Sequence, residues 1–155
     1  MTADPEAPAT SISTSTSTST SVRAAALHTV EAYFEAFGHG DMDAVFALLD
    51  PEVEWFVPGD AALVPWAGRR TGHAAMREWF PLLAGAGERK DFELYGMTAL
   101  GPDQVLVNGR FVFRMHATGA VYDDEFVIRF TVRDGRITAY RIYEDTLALA
   151  RAYRG

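Results

Sequence analysis

The clearest alternation of hydrophobic and polar positions lies between residues 121 and 145, in two arms on either side of Asp134-Gly135. Successive side chains of a strand point to opposite faces, so this period of two predicts a β-hairpin with one covered face. The inward positions of its first arm are Phe126, Ile128, Phe130 and Val132. The inward positions of its second arm are Tyr140, Ile142 and Glu144. The pattern therefore turns Glu144 toward apolar side chains and Asp145 away from them.

Two helices are predicted before the first strand. Apolar residues within 22–37 recur at helical spacing, with Ser21 as a candidate N-cap and Gly38 as a candidate stop. Asp41 can cap a second, short helix that ends before Pro51. The two helices therefore lie nearly back to back in the sequence.

Residues 1–21 lack any comparable pattern. They are rich in Pro and Ala and then alternate Ser with Thr, with Ile12 as the interruption of the Ser/Thr run. Such a segment offers too little apolar area to offset the entropy lost on ordering it. We therefore predict a disordered tail over residues 1–21, most simply a dispensable repeat, and one domain over residues 22–155.

The remaining elements are one strand, one helix, two further strands before the hairpin, and a closing helix. A loop interrupted by Gly and Pro carries Trp66, and Thr71 or Gly72 opens the helix. Asn108-Gly109 interrupts the longest strand and predicts a β-bulge. The predicted spans are strand 52–58, a helix through Leu83 that Pro81 either kinks or ends, strands 92–100 and 104–117, and helix 147–153. This order, α, α, β, α and then four antiparallel strands, predicts an α+β fold.

Composition and charge restrict the function. With 155 residues and 48% hydrophobic content, the chain can bury the core of one domain. A net charge of −7 argues against nucleic acid or an anionic membrane as partner and fits a neutral or weakly polar partner better. The lack of Cys excludes disulfides and thiolate catalysis. Because no signal-peptide pattern or transmembrane run is present, we expect a cytoplasmic location.

Four motifs narrow the fold further. They are YFEAFGHGDMD at 33–43, VEWFVPG at 53–59, PWAGRRTGHAAMREWF at 65–80 and VRDGRITAYRIYED at 132–145. Over about residues 24–153 they resemble the SnoaL-like and ketosteroid-isomerase-like branch of the nuclear transport factor 2-like superfamily. The resemblance implies a cone-shaped α+β barrel, with N-terminal helices packed on a curved, mainly antiparallel sheet. Isomerases, cyclases, dehydratases, epoxide hydrolases and inert binding modules share this scaffold, so the fold alone leaves the function open.

The resemblance assigns a role to one residue of the first helix. Tyr33 falls where ketosteroid isomerases hold the tyrosine of their oxyanion hole. The position of their proton-shuttling base is Trp55 or Phe56 in this chain. The position of their protonated acid is Val127 or Ile128. These two departures argue against a steroid-isomerase mechanism.

The last strand departs from the family pattern as well. SnoaL-like cyclases and limonene-epoxide-hydrolase-like enzymes place an inward acid at the position of Ile142, whereas this chain has Glu144 two residues later. An inward carboxyl is costly unless it is protonated, paired or hydrated. A salt bridge at the rim of the cone is the structural alternative, and its candidate partners are Arg69, Arg70 and Arg141.

We expect four residues to carry chemistry. Glu144 is the candidate acid and base, and Tyr33 and Tyr140 are inward phenols that can donate hydrogen bonds. For each phenol, a hydroxyl satisfied by the backbone is an equal alternative. His116 lies on the outer face by parity, but the predicted bulge would turn it into the pocket. Asp124 is inward by parity, although its place at the start of a strand favours a solvated rim.

An apolar cavity inside the cone is the expected binding site. Trp55 and Trp66 are expected at its mouth. The other expected contacts are Trp79, Phe80, Phe111, Phe113, Met115, Phe126, Ile128 and Ile142. Ordinary core packing is the alternative for most of them, because aromatic stripes pack more often than they bind.

No metal and no cofactor are predicted. The histidines His28, His39, His73 and His116 show neither HxxxH nor HxH spacing. The sequence also lacks GxSxG and a phosphate-binding glycine loop. Acid/base chemistry by side chains is the reaction type that remains.

The residues and the resemblance together favour an enzyme of secondary metabolism. It would isomerise, cyclise or dehydrate an apolar small molecule by general acid/base catalysis in a hydrophobic cavity. The alternative is a non-catalytic module for ligand binding or dimerisation, which the two missing acids favour. The outer sheet face is expected to form a homodimer interface, and its residues are Val112, Arg114, His116, Val127 and Arg129.

Overall fold

The computed structural model describes residues 13–155, which form four helices and six strands. The helices are α1 (Ser13–Gly38), α2 (Met42–Leu48), α3 (Gly72–Ala86) and α4 (Thr146–Arg154). The strands are β1 (Leu49–Val57), β2 (Gly68–Thr71), β3 (Gly87–Leu100), β4 (Gln104–Met115), β5 (Val121–Arg133) and β6 (Arg136–Tyr143). No helix in this part of the chain is long and apolar enough to cross a membrane.

All six strands belong to one sheet with the order β2-β1-β6-β5-β4-β3. β1 and β6 are parallel, and the other neighbouring pairs are antiparallel. α1 contacts β3, β4, β5 and β6, and α3 contacts β1, β2 and β3, so the two helices cover the inner face of the sheet. The predicted α+β fold, with N-terminal helices on a curved and mainly antiparallel sheet, is confirmed.

The hairpin of β5 and β6 has the predicted alternation. Phe130 lies opposite Tyr140 and Ile128 lies opposite Ile142, and all four side chains are buried. The Asp-Gly turn has φ values of 51° and 71°, the left-handed conformations that a two-residue hairpin turn requires. This register therefore directs position 144 toward the inner face of the sheet.

The first helix begins earlier than predicted. α1 starts at Ser13, so it includes part of the Ser/Thr run that we predicted to be disordered. The Ser21 hydroxyl donates a hydrogen bond to the Ser17 carbonyl oxygen (2.9 Å), one turn back, and does not cap a helix start. The side chains of residues 17–25 are exposed, and extension from the packed part of a helix costs little per residue. Residues 1–12 of the predicted tail lie outside the described residues.

Removal of residues 1–20 is expected to leave the thermal midpoint of the domain unchanged to within about 2 °C. The described side chains of this segment, from residue 17 onward, are exposed and contribute nothing to the core. Calorimetry of the full and shortened chains gives the comparison. A drop of several degrees would show that the segment stabilises the domain.

The predicted β-bulge in β4 is wrong, because β4 pairs with β5 without a register shift. On the other side of β4, the register with β3 shifts at Lys90 and at Tyr95, so the bulges of this strand pair lie on β3. Gly109 has a different role. A Cβ at this position would collide with the backbone oxygen of Glu93 and would lie 2.9 Å from the Phe126 ring. Glycine therefore allows β3 and the aromatic inner face to approach β4 closely.

One strand was not predicted, and several boundaries differ from the prediction. β2 was not predicted, because four residues in a glycine-containing loop are too few to show alternation. β3 starts at Gly87, ahead of the predicted start at Phe92. α3 continues through Pro81 and does not end there. These shifts lengthen the sheet on both sides of α3 without changing the fold class.

Candidate active site

A cavity of about 800 Å³ lies between the inner face of the sheet and helices α1 and α3. Its volume and its apolar wall are typical of a site for a small organic ligand. The predicted binding residues that line it are Trp66, Trp79, Phe80, Phe111, Phe113, Met115, Phe126, Ile128 and Ile142. Their contact with a substrate stays a prediction.

Trp55 does not line the cavity, contrary to its expected place at the mouth. Its side chain is 1% exposed, and its ring stacks on that of Tyr140 with the centroids 3.7 Å apart and the planes 1° apart. The two residues are partners in the parallel pair of β1 and β6, so both point to the inner face. The Trp55 Nε1–H is buried without a partner among the described residues. Trp55 therefore supports the Tyr140 ring from behind.

Trp66 lines the cavity but is 4% exposed, so it is buried in the wall and not open at the mouth. Its carbonyl oxygen accepts hydrogen bonds from the Trp79 Nε1–H (2.8 Å) and from an Arg70 Nη1–H (2.9 Å). Its ring meets that of Tyr153 edge-on, with the centroids 5.0 Å apart. These contacts fold the loop inward onto α3 and α4.

Two buried phenols line the cavity. Tyr33 of α1 is 4% exposed and Tyr140 of β6 is 8% exposed, and both line the wall. Among the described residues, neither hydroxyl has a hydrogen-bond partner, so the backbone does not satisfy them. Burial raises the pKa of both phenols, and the nearby Tyr33 and Glu144 raise that of Tyr140 further. Both phenols therefore stay protonated at neutral pH and can donate to a ligand.

Glu144 directly follows β6 and lines the same cavity in a half-buried position, whereas Asp145 is exposed. The Asp145 carboxylate instead caps α4 by accepting a hydrogen bond from the Ala148 N–H (2.9 Å). Both placements agree with the parity of the hairpin. The structure therefore brings Glu144, Tyr33 and Tyr140 to one cavity, and their roles in catalysis stay predictions.

The salt-bridge alternative for Glu144 is wrong, since no cation pairs with it within residues 13–155. Arg70 donates hydrogen bonds to three consecutive carbonyl oxygens of the loop before β2. Arg69 and Arg141 place their Cζ atoms 4.3 and 4.8 Å from the centre of the Phe56 ring. Loop carbonyls and an aromatic ring thus engage the arginines that were candidate partners.

A third phenol, Tyr122 of β5, connects Glu144 to a second carboxylate. Its oxygen lies 2.8 Å from Asp124 Oδ2, 3.3 Å from Glu144 Oε2 and 3.2 Å from the Asp145 carbonyl oxygen. The Asp145 N–H also donates to Asp124 Oδ2 (2.8 Å). The position of Asp124 at the start of the strand predicted a solvated rim. Its side chain is instead half-buried, and its carboxylate accepts hydrogen bonds from the Tyr122 hydroxyl and the Asp145 N–H.

The single hydroxyl proton of Tyr122 cannot satisfy all of these acceptors. Burial and the two carboxylates raise the pKa of Tyr122, so the proton stays on the phenol. The shortest contact assigns the proton to Asp124, and the Tyr122 oxygen is then free to accept one. A protonated Glu144 can donate to it, which completes a chain from Glu144 through Tyr122 to Asp124.

The pKa of Glu144 is raised from 4.5 to about 7. Burial is the main cause, the polar contact with the Tyr122 hydroxyl opposes it, and the charge of Asp124 adds to it. A carboxyl with this pKa is present in both protonation states near neutral pH. Glu144 is therefore able to take a proton from a substrate and to return one.

The raised pKa predicts that stability falls as pH rises. Between pH 4.5 and about 7 the unfolded chain releases a Glu144 proton that the folded chain retains, so the unfolding free energy declines across this window. The shift corresponds to at most about 3 kcal/mol, and partial exposure makes the measured value smaller. Urea denaturation should show Glu144→Gln gaining stability over the original chain above pH 7, with no gain below pH 4.5. An equal difference at both pH values would contradict the raised pKa.

His116 lies outside the cavity, in the turn after β4, as its outward parity indicated, and the alternative that a bulge turns it into the pocket is wrong. Its side chain is exposed, and its Nδ1 lies 3.2 Å from the Gly85 carbonyl oxygen. The reason is the missing bulge. β4 keeps its alternation, and Met115 is the last inward residue of the strand.

Three residues in or beside the site, and the contacts of a fourth, were not predicted from the sequence. Tyr122 has the same parity as Phe126, so extending the alternation to the start of β5 could have found it. The hydrogen bonds of Asp124 depend on the turn of the chain after β6, which no local pattern shows. Arg77 and Arg89 line the cavity where it meets solvent, and Arg89 precedes the predicted start of its strand.

The cavity wall carries few charges. Its ionisable side chains other than the phenols are Glu144, Arg77 and Arg89. Among residues 13–155, no three His, Asp or Glu side chains converge in a group that could hold a metal ion. The site therefore offers one acid, three phenols and two cations on a largely apolar surface.

Solved structures share this helix-covered sheet and define the class as NTF2-like. An NTF2-like protein from Burkholderia xenovorans LB400 is 32% identical with a TM-score of 0.76, over 84% of this chain and 96% of that chain. TerC, co-crystallised with polyporic acid, is 22% identical with a TM-score of 0.74, over 84% and 99% of the two chains. A presumed polyketide cyclase from Xanthomonas campestris pv. campestris is 23% identical with a TM-score of 0.66, over 85% and 98%.

The sequence profile of the SnoaL-like domain matches residues 30–140, and the chain belongs to this family. The match confirms the resemblance carried by the four motifs. A comparison with curated protein sequences finds no match. Fold and family are therefore shown, and the reaction has to be argued from the site.

Proposed function

We propose that this protein is an enzyme that moves protons on an apolar carbonyl compound, in an isomerisation, cyclisation or dehydration without a cofactor. The presumed polyketide cyclase from Xanthomonas motivates a substrate of the polyketide class, and the complex of TerC with polyporic acid motivates a small organic ligand. The cavity volume of about 800 Å³ accommodates a molecule of several fused rings. Secondary metabolism is the setting in which such substrates arise.

One observation carries the proposal: a half-buried carboxyl lies on an apolar wall without a cationic partner in the described part of the chain. Holding Glu144 there costs stability whenever the group is ionised, because burial disfavours its charge. A purely structural position would be better filled by an apolar side chain. A carboxyl with a pKa of about 7 is instead suited to general acid and base catalysis.

In the proposed reaction, the Glu144 carboxylate takes a proton from a carbon next to a carbonyl group. The electron pair of the broken C–H bond moves to the carbonyl oxygen, and Tyr33 and Tyr140 donate hydrogen bonds to this oxyanion. In an isomerisation, another carbon of the enolate takes the proton back from Glu144. In a cyclisation, the enolate carbon attacks a second carbonyl carbon, and the oxygen of that carbonyl takes the proton. Glu144 ends as a carboxylate in both cases.

Tyr122 and Asp124 position Glu144 in this scheme. The Tyr122 oxygen accepts from the protonated carboxyl, and Asp124 accepts from Tyr122, so the acid form of Glu144 has a fixed orientation. The Asp145 backbone N–H in turn fixes Asp124. Contacts at the junction between β6 and α4 therefore fix the orientation of the Glu144 carboxyl.

Incubation of the protein with extracts rich in polyketides, in heavy water, tests the proposal. Proton abstraction from carbon exchanges the abstracted hydrogen for deuterium, which mass spectrometry detects in substrate and product. Deuterium incorporation that depends on the protein supports the enzyme. A ligand retained in native mass spectra, unchanged and without deuterium, supports the non-catalytic binding module instead.

We further infer that the outer face of the sheet forms a homodimer interface. Val127 and Tyr143 are opposite each other on this face, and they are 38% and 42% exposed. Arg129 lies directly opposite Arg141, an arrangement of like charges that is unfavourable in an isolated subunit. Acidic side chains of a second copy across this face would offset the repulsion.

Light scattering at micromolar concentration is expected to give twice the mass of the chain. Val127→Arg with Tyr143→Arg places two further cations at the proposed interface and should yield a monomer. Leu147→Arg is the control, because Leu147 is a 59% exposed residue that belongs to α4 and not to the sheet. If the original chain is a monomer, this face does not form a homodimer interface.

A further inference from the structure

Two arginines lie on the wall of the cavity, and both reach solvent. Arg77 belongs to α3 and Arg89 belongs to β3, and both side chains are exposed. Pro81 and Ala84 of α3 are exposed wall residues as well. Wall residues that reach solvent mark where a cavity opens. Both arginines therefore lie where the cavity wall reaches solvent, Arg77 on α3 and Arg89 near the start of β3.

Each of these guanidinium groups packs on an aromatic ring of the wall. Arg77 Cζ lies 4.4 Å from the centre of the Phe46 ring, and Arg89 Cζ lies 5.6 Å from that of Phe92. Neither arginine forms an ion pair with a carboxylate in the described part of the chain. Stacking uses the flat face of a guanidinium and leaves the N–H groups in its plane free to bind an anion.

Two neighbouring cations, in contrast, form ion pairs with carboxylates. Lys90 pairs with Glu88 (2.8 Å), and Arg110 pairs with Asp91 (3.3 Å) and Asp123 (2.7 Å). The chain has 21 acidic residues against 14 Lys and Arg, so carboxylates are in excess. Two arginines left unpaired at the mouth of an otherwise acidic protein create a local positive potential that attracts an anion.

We propose that the substrate is an apolar acid, whose ring system fills the cavity while its carboxylate or equivalent oxyanion binds Arg77 and Arg89 at the mouth. This inference rests on the proposed function and narrows its substrate class. Guanidinium groups bind planar oxyanions through paired N–H donors. An anion held at the mouth also orients the substrate, because the ionised carboxyl of Glu144 repels it and the uncharged end enters.

A pair of fluorescent probes that differ in one charge tests the inference. 8-Anilinonaphthalene-1-sulfonate is an apolar anion, and N-phenyl-1-naphthylamine is the same ring system without the sulfonate. The original chain should bind both, the anion more tightly. Arg77→Gln with Arg89→Gln should weaken binding of the anion by about 10- to 100-fold, because each lost charge contact costs about a factor of ten. The same variant should bind the neutral probe with an unchanged Kd.

The matched control is Arg23→Gln with Arg136→Gln, which removes the same charge from two exposed arginines that do not line the cavity. This control should bind both probes as the original chain does, and thermal melting confirms that each variant is folded. If the anion binds the original chain and the variant Arg77→Gln with Arg89→Gln with equal affinity, the inference is wrong. Binding of the neutral probe in that case still supports the cavity and the proposed function. Failure of the original chain to bind either probe overturns both.

Discussion

Replacement of Glu144 by Gln is expected to lower turnover at least about 100-fold without loss of folding. Gln has the size of Glu and can hydrogen-bond to Tyr122, but it cannot exchange a proton at neutral pH. The carboxyl acts on the reacting bond, so kcat and kcat/KM should fall together while KM stays nearly constant. Steady-state kinetics with a substrate identified by deuterium incorporation gives this comparison.

Asp145→Asn is the matched control for Glu144→Gln, because it removes the same charge one residue away. Asn is as good an N-cap as Asp, so α4 keeps its start and stability should hardly change. Turnover should also be retained, since the Asp145 side chain is exposed and its contacts with Tyr122 and Asp124 come from the backbone. Loss of turnover in Asp145→Asn but not in Glu144→Gln would reverse the assignment of the acid.

The second large effect is expected from the two phenols. Tyr33→Phe should lower kcat about tenfold, and Tyr33→Phe with Tyr140→Phe about 100-fold, because each hydroxyl donates to the oxyanion formed in the reaction. No described residue hydrogen-bonds to either hydroxyl, so their removal leaves no polar partner unsatisfied. The melting temperature should therefore be unchanged or slightly higher.

The kinetic pattern of the double variant separates the possible roles of the phenols. A fall in kcat at constant KM indicates donation to the transition state, and a rise in KM alone indicates binding of the ground state. Tyr95→Phe serves as control, because Tyr95 is 46% exposed and its hydroxyl contacts Glu125 on the outer face. Unchanged kinetics of the double variant would exclude both phenols from catalysis.

The hairpin of β5 and β6 could be predicted from the sequence alone. Its alternation and its Asp-Gly turn correctly predicted the inward positions from Phe126 to Ile142, and the same parity placed Glu144 on the cavity wall. A two-residue period is a local property of the chain, so it can be read without knowledge of the partner strands. The fold followed from such local patterns together with the family motifs.

The features that escaped prediction depend on pairing and on distant contacts. Bulges occur on β3 and not at Asn108-Gly109, because the register of both strands decides which one carries the extra residue. Trp55 is in the core because Tyr140 stacks on it across two strands that are far apart in sequence. The contacts of Asp124 likewise need the chain to turn after β6.

The helical start of the chain escaped prediction for another reason. The Ser/Thr run before Ser21 has no apolar period, so the pattern gives no helical signal. The helix there continues from the packed part of α1, in which Ala26 and Val30 are buried. Propagation of a formed helix needs no hydrophobic stripe of its own.

Titration of the Glu144 carboxyl by carbon NMR, with Glu144→Gln to assign the resonance, tests the central claim most directly. The measurement needs no substrate and reads the protonation state of the proposed acid and base. We predict a midpoint of about 7, because the carboxyl is half-buried on an apolar wall beside Asp124. A midpoint near the ordinary value of 4.5 would contradict it.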